Sequence, residues 1–212
     1  MGNGATIKLK ICGMRDPINI MEVAAAHPDY MGFIFYPQSP RYVGEDFEIP
    51  AAMSSSIKRV GVFVNEDTSR IMAMVEKHRL GYIQLHGEEP ATQCAELRRQ
   101  GINVIKVFSI GGAMDFESTK IYEGVSDYFL FDTKGKYYGG NAKTFNWKIL
   151  DKYDQSVPFF LSGGLMPSNL SGVGALTGMN LHAVDVNSGV ESSPAYKNID
   201  KVKEVIKVIH QC

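Results

Sequence analysis

The sequence predicts an α/β fold, a (β/α)8 TIM barrel in a single domain spanning residues 1–212. Three observations predict it. Strand-type and helix-type segments alternate eight times, which calls for parallel strands joined by crossovers. Several strands keep apolar side chains on one face and end in a polar residue on the other. Glycine-containing turns follow the seventh and eighth strands, where such barrels hold anions. A doubly wound open sheet is the alternative, but it needs edge strands and a topological switch, and the sequence marks neither.

The first strand is Thr6-Ile7-Lys8-Leu9-Lys10-Ile11-Cys12-Gly13. Alternation gives Ile7, Leu9 and Ile11 to one face and Lys8, Lys10 and Cys12 to the other. A helix over residues 17–26 follows, with Asp16 as N-cap and Pro17 at N1. The second strand covers 30–35, and the loop over 36–45 carries Ser39-Pro40-Arg41-Tyr42. A weak helix is expected over 47–54, a strand over 60–64, and a helix over 67–78 with Ile71, Met72 and Val75 at helical spacing. The fourth strand is Tyr82-Ile83-Gln84-Leu85-His86. The helix over 88–100 opens on acids and Pro90 and stops at Gly101. The fifth strand covers 103–108, a helix 113–122, the sixth strand 128–133, and a Gly- and Lys-rich loop 134–144. A short helix over 146–153, a strand over 158–162 and a helix over 167–174 lead to the eighth strand, 183–186. The last helix, 198–210, aligns Ile199, Val202, Ile206 and Ile209. Residues 1–5 are expected to be a flexible leader.

Composition narrows the function classes. A formal net charge of -1 gives no broad basic surface for nucleic acid. No apolar run is long enough for a membrane span. Cys12, Cys94 and Cys212 are widely spaced and odd in number, which fits a reduced cytoplasmic setting rather than a disulfide framework or zinc site. His27, His78, His182 and His210 show no ligand spacing, so no metal is expected. A monomer and a homodimer are equally open.

The strand ends locate the chemistry. Gln84 and His86 point away from Ile83 and Leu85, Asp132 away from Phe129 and Phe131, and Asp185 away from Val184 and Val186. With Cys12, these residues fall on the inner rim at the strand C-termini, where active sites of this fold sit. Each alone has a plainer reading: a small core thiol, a structural histidine, turn-capping aspartates. Their convergence argues for a site. Gly163 and Gly164 after the seventh strand, and Ser188 and Gly189 after the eighth, suit a phosphate held by backbone N–H groups near a helix N-terminus. Arg41 offers a planar fork for a carboxylate. The expected ligand is a small phosphorylated molecule.

Seven blocks resemble the phosphoribosylanthranilate isomerase family of tryptophan biosynthesis. They are Lys10-Ile11-Cys12-Gly13, Ser39-Pro40-Arg41-Tyr42, Gly61-Val62-Phe63-Val64-Asn65, Gln84-Leu85-His86-Gly87, Phe131-Asp132-Thr133, Leu161-Ser162-Gly163-Gly164-Leu165 and Val184-Asp185-Val186-Asn187-Ser188-Gly189-Val190-Glu191. The resemblance spans nearly the whole chain in order. It implies a cofactor-independent Amadori rearrangement of a phosphosugar, with Cys12 as general base, Asp132 as general acid, Arg41 on the anthranilate carboxylate and the glycine turns on the phosphate. Two departures stand out. Gly139-Gly140-Asn141-Ala142 replaces a Gly-Gly-Ser/Thr-Gly stretch, and Pro194-Ala195 with Lys197-Asn198 replaces Pro-Gly with Lys-Asp.

The chemistry makes a paired demand. An ordinary thiol is only about 3% ionised at pH 7, and an ordinary Asp is protonated in about one molecule in a thousand. Lys10 on the same face and Lys106 on the fifth strand are the cations expected to favour the thiolate, and the charge of Asp185 is expected to favour a protonated Asp132. Two other readings compete. A histidine-pathway isomerase would carry Asp at the position of Cys12, and a catalytically silent phosphate-binding barrel would not need both Cys12 and Asp132.

Overall fold

The computed structural model describes residues 6–111, 116–133, 144–176 and 178–210. The leader and the Asn141-Ala142 departure lie outside the described residues. Eight parallel strands close into a barrel in sequence order: β1 (Lys8–Ile11), β2 (Tyr30–Ile34), β3 (Lys58–Phe63), β4 (Tyr82–Leu85), β5 (Asn103–Ile110), β6 (Tyr128–Thr133), β7 (Phe159–Leu161) and β8 (Leu181–Val186). Closure pairs β1 with β8, in a register that sets Lys10 opposite Asp185.

The expected alternation holds. Ile7, Leu9, Ile11, Ile83, Leu85, Phe129, Phe131, Val184 and Val186 all enter the core between the barrel and its outer layer. The opposite faces supply Tyr30, Val60, Ile105, Leu130, Phe160 and Ala183 to a separate cluster. Tyr128 packs against that cluster, and Tyr30 there bonds His182 at 2.8 Å. Above it the interior turns polar, beginning with the fully buried Lys10.

The outer layer is less regular than the sequence suggests. Helices α1 (Pro17–Ala24), α2 (Thr68–His78), α3 (Ala91–Arg99) and α4 (Ile199–Ile209) form as expected. Asp16 caps α1 by accepting from the Asn19 N–H, and Asn198 caps α4 from the Lys201 N–H. Asn thus replaces Asp at this cap without loss of the bond. Three expected helices are instead 3-10 segments, Phe116–Tyr122, Trp147–Lys152 and Leu170–Leu176. The weak helix over 47–54 is absent. Phe47, Ile49 and Met53 are buried, but Pro50 cannot donate within a helix, and the segment makes isolated turns.

After β8 the chain adds a small antiparallel hairpin that the sequence reading did not anticipate, β9 (Glu191–Ser193) and β10 (Tyr196–Lys197). Its turn places Ala195 at φ 66, where a glycine carries no Cβ penalty. Replacing Ala195 by Gly should therefore stabilise the fold by about 1 kcal/mol, read as a rise in the urea midpoint.

Lys106 does not serve Cys12, contrary to expectation. Its ammonium donates to Glu89 Oε2 at 2.7 Å and to the Gly87 carbonyl at 2.7 Å. Glu89 also accepts from the Asn65 and Gly87 N–H groups, so the pair staples the ends of β3 and β4. Lys106→Met should cost about 3–5 kcal/mol because it strands a buried carboxylate. Adding Glu89→Gln should return part of that loss, and equal unfolding midpoints for wild type and Lys106→Met would contradict the pairing.

Candidate active site

The C-terminal end of the barrel opens into one pocket. Cys12, His86, Asp132, Asp185, Gly163, Gly164, Ser188 and Gly189 all line it, together with Gln84 and Asn187. Alternation in the strands therefore carries Cys12, His86, Asp132 and Asp185 to one rim.

Cys12 follows β1 directly, its N–H held by the Val186 carbonyl at 2.9 Å. The thiol packs with Ile34 and Val62 and is buried. Gly32 of β2 makes room for it. A Cβ there would lie 2.7 Å from Cys12 Sγ and 3.2 Å from Lys10 Nζ. Lys10 Nζ donates to Asp185 Oδ1 at 2.9 Å, both groups shut away from solvent. Burial opposes the Lys10 charge, but Asp185 and Cys12 hold its pKa above the ordinary lysine value. Burial pushes Asp185 up, against the pull of Lys10. Burial also pushes the Cys12 thiol up, while Lys10 and Lys197 draw it back and Asp185 adds to the rise. The expected lowering of the thiol is therefore not what this environment produces: desolvation outweighs the two ammonium groups.

Asp132 ends the inward face of β6. Its Oδ1 accepts from the Thr133 N–H at 2.8 Å, and its Oδ2 lies 3.3 Å from His86 Nε2. Gln84 Nε2 is 2.9 Å from His86 Nδ1. With the amide nitrogen as donor, Nδ1 accepts, and Nε2 is the ring nitrogen that faces Asp132. A chain of contacts thus runs from Gln84 through His86 to the carboxyl.

The two glycine turns meet across the pocket mouth. Gly163 has φ 94, and a Cβ on it would come 2.2 Å from Thr133 Oγ1. A Cβ on Gly189 would fall 2.0 Å from the Leu165 carbonyl oxygen, so the turns after β7 and β8 are in backbone contact.

Arg41 is placed differently from the others. It belongs to the same rim but stands behind the pocket lining, beside Gly13. Its Nε and Nη2 donate to Glu191 Oε1 and Oε2 at 2.8 and 2.7 Å. Two of the five guanidinium N–H groups are thereby engaged. Glu191 also accepts from Lys197 Nζ at 2.8 Å. Burial would raise Glu191, but Arg41 and Lys197 bring it below the usual carboxylate value. The sequence reading passed over Glu191 and Lys197 as functional residues. Their signal is two opposite charges on either side of Ser192-Ser193-Pro194-Ala195-Tyr196, shortly after the eighth strand.

Among the described residues, no helix is long and apolar enough to cross a membrane. Residues 9–208 match the family described as N-(5'phosphoribosyl)anthranilate (PRA) isomerase. A relative named N-(5'-phosphoribosyl)anthranilate isomerase, from Phocaeicola vulgatus, is 46% identical over 203 residues, covering 96% of this chain and 98% of its own. The crystal structure of phosphoribosyl anthranilate isomerase from Thermotoga maritima superposes with a TM-score of 0.87 at 34% identity, covering 97% of this chain and all of that one. A structure of the isomerase in complex with reduced 1-(o-carboxyphenylamino)-1-deoxyribulose 5-phosphate has a TM-score of 0.84 at 32% identity, with 97% and 100% covered. A closed eight-stranded barrel, a match over nearly the full length and this sequence identity together establish that the chain belongs to the N-(5'-phosphoribosyl)anthranilate isomerase family.

Proposed function

We propose that the chain converts N-(5-phospho-β-D-ribosyl)anthranilate into 1-(2-carboxyphenylamino)-1-deoxyribulose 5-phosphate in the cytoplasm, with Cys12 as general base and Asp132 as general acid. The observation that carries this reading is that one pocket is lined at once by the thiol, the carboxyl and both glycine turns. A solved relative that holds the reduced product supports the choice of ligand.

The steps follow from the groups present. Asp132 protonates the ribose ring oxygen, and the ring opens to a protonated Schiff base. Cys12 removes the C2′ proton, and the enolamine that forms tautomerises to the ketone. The thiolate consumed in that step is favoured beforehand by the Lys10 and Lys197 charges, already in place and away from water, where such charges act most strongly. His86 presents its Nε2–H to Asp132 and steadies the carboxylate left when the proton departs. Asp185 holds Lys10 against the site. The phosphate lies against Gly163, Gly164, Ser188 and Gly189, and Arg41 receives the anthranilate carboxylate.

Loss of anthranilate-type fluorescence after adding freshly made substrate measures the reaction. Cys12→Ala and Asp132→Asn should each lower kcat by about 10²–10⁴-fold. Near-normal turnover in either variant would remove that residue from its role. Arg41→Ala should chiefly raise KM, because the contact is made equally in the ground and transition states. If KM stays constant while kcat collapses, Arg41 belongs to the chemistry instead.

A further inference from the structure

Lys197 lies behind the pocket wall and touches no open surface. Its backbone is fastened to α1: the N–H donates to Asn19 Oδ1 at 2.7 Å, and the carbonyl accepts from Asn19 Nδ2 at 2.9 Å. Its ammonium donates to Asn187 Oδ1 at 2.8 Å, to the Asn187 carbonyl at 3.2 Å and to Glu191 Oε1 at 2.8 Å. Those three bonds use every N–H the ammonium has. Asn187 begins the turn that carries Ser188 and Gly189, and Glu191 holds the Arg41 fork. One side chain therefore joins the phosphate end of the pocket to the carboxylate end.

Charge counting gives Lys197 a second role. Among the described residues, the buried cations around the pocket are Lys10, Arg41 and Lys197, against the carboxylates of Asp132, Asp185 and Glu191. Lys10 closes on Asp185 and Arg41 on Glu191. Lys197 shares Glu191 with Arg41, so it is the surplus cation, balanced only by the charge of Asp132. Once Asp132 carries its proton, that surplus is left facing Cys12. Around the thiol, Lys10 from β1 and Lys197 from β10 favour ionisation, and Asp185 from β8 opposes it. Around Lys197, burial lowers its pKa to about 8, Glu191 and Cys12 resist that fall, and Arg41 adds to it.

We propose that Lys197 is a positioning residue of the isomerase reaction: its ammonium fixes Asn187 and the Glu191–Arg41 fork in register and supplies the positive potential against which Cys12 ionises. The second half of this statement rests on Cys12 acting as the base.

The test is the rate of Cys12 alkylation by iodoacetamide at pH 7, where Lys197 still carries its charge, with the modified peptide identified by mass spectrometry, alongside kcat and KM. In the wild type the rate should lie below that of an ordinary thiol of pKa about 8.5. Lys197→Met should slow alkylation about tenfold, through a tenfold loss of thiolate, and should raise KM several-fold. Lys197→Arg keeps the charge and should restore the rate. Lys197→Gln removes the charge but keeps a donor toward Asn187, and gives the same sign should Lys197→Met fail to fold. An unmoved alkylation rate in folded Lys197→Met or Lys197→Gln overturns the proposal. Retained turnover in Cys12→Ala would instead overturn the base assignment while leaving the alkylation result to stand by itself.

Discussion

The site depends on an ion pair that also belongs to the seam of the barrel. Lys10 and Asp185 are register partners where β1 meets β8, and their side chains meet inside at 2.9 Å. Neither has water to fall back on, so each charge requires the other. Such a pair is weak as a source of stability, because removing both ions from water costs about as much as their attraction returns. Its value is positional. It fixes an ammonium one turn of the pleat below Cys12, in the space that Gly32 leaves open. Closing the barrel and charging the thiol's surroundings are thus one structural event.

The barrel and its rim were legible because both follow from period-two alternation. Ile7, Leu9 and Ile11 pack outward, and Cys12, His86, Asp132 and Asp185 meet inside, because strand side chains have only two directions to choose from. What alternation cannot reach is how side chains beyond the strands pair. Lys106 was expected near Cys12 from its place on the fifth strand. It turns to Glu89 because that carboxylate, already holding the Asn65 and Gly87 N–H groups, lies buried within its reach. Arg41 was read as an open fork, and half of that fork is closed on Glu191. The hairpin that delivers Glu191 and Lys197 is too short to leave a periodic trace. Its one sequence cue, Pro194-Ala195, is obscured by an alanine at a position of positive φ.

The same limit applies to pKa values. A lysine two residues from a cysteine on one face suggests a lowered thiol pKa, and that inference counts charges without counting lost water. In the folded pocket desolvation is the larger effect, and the thiol moves up despite two neighbouring ammonium groups. Burial that deep follows from packing against Ile34 and Val62, which no local pattern announces.

A raised thiol is nonetheless compatible with the proposed base role, because the state that role requires differs from the resting state by an internal proton shift. A neutral Cys12 with an ionised Asp132, and an ionised Cys12 with a neutral Asp132, carry the same number of protons. Between ordinary groups the shift costs about 6 kcal/mol. Desolvation of the thiol adds to that cost, and fixed charges in the pocket act against it. Lys10 and Lys197 favour charge on the sulfur, and a proton on Asp132 removes its repulsion of Asp185. Desolvation sharpens both effects, since the field of a fixed charge is stronger where water is absent. Burial therefore makes the thiolate scarce and, by the same physics, makes it a stronger base toward a carbon-bound proton once it forms. The cations behind the wall, Lys197 among them, are what keep that scarcity from becoming complete.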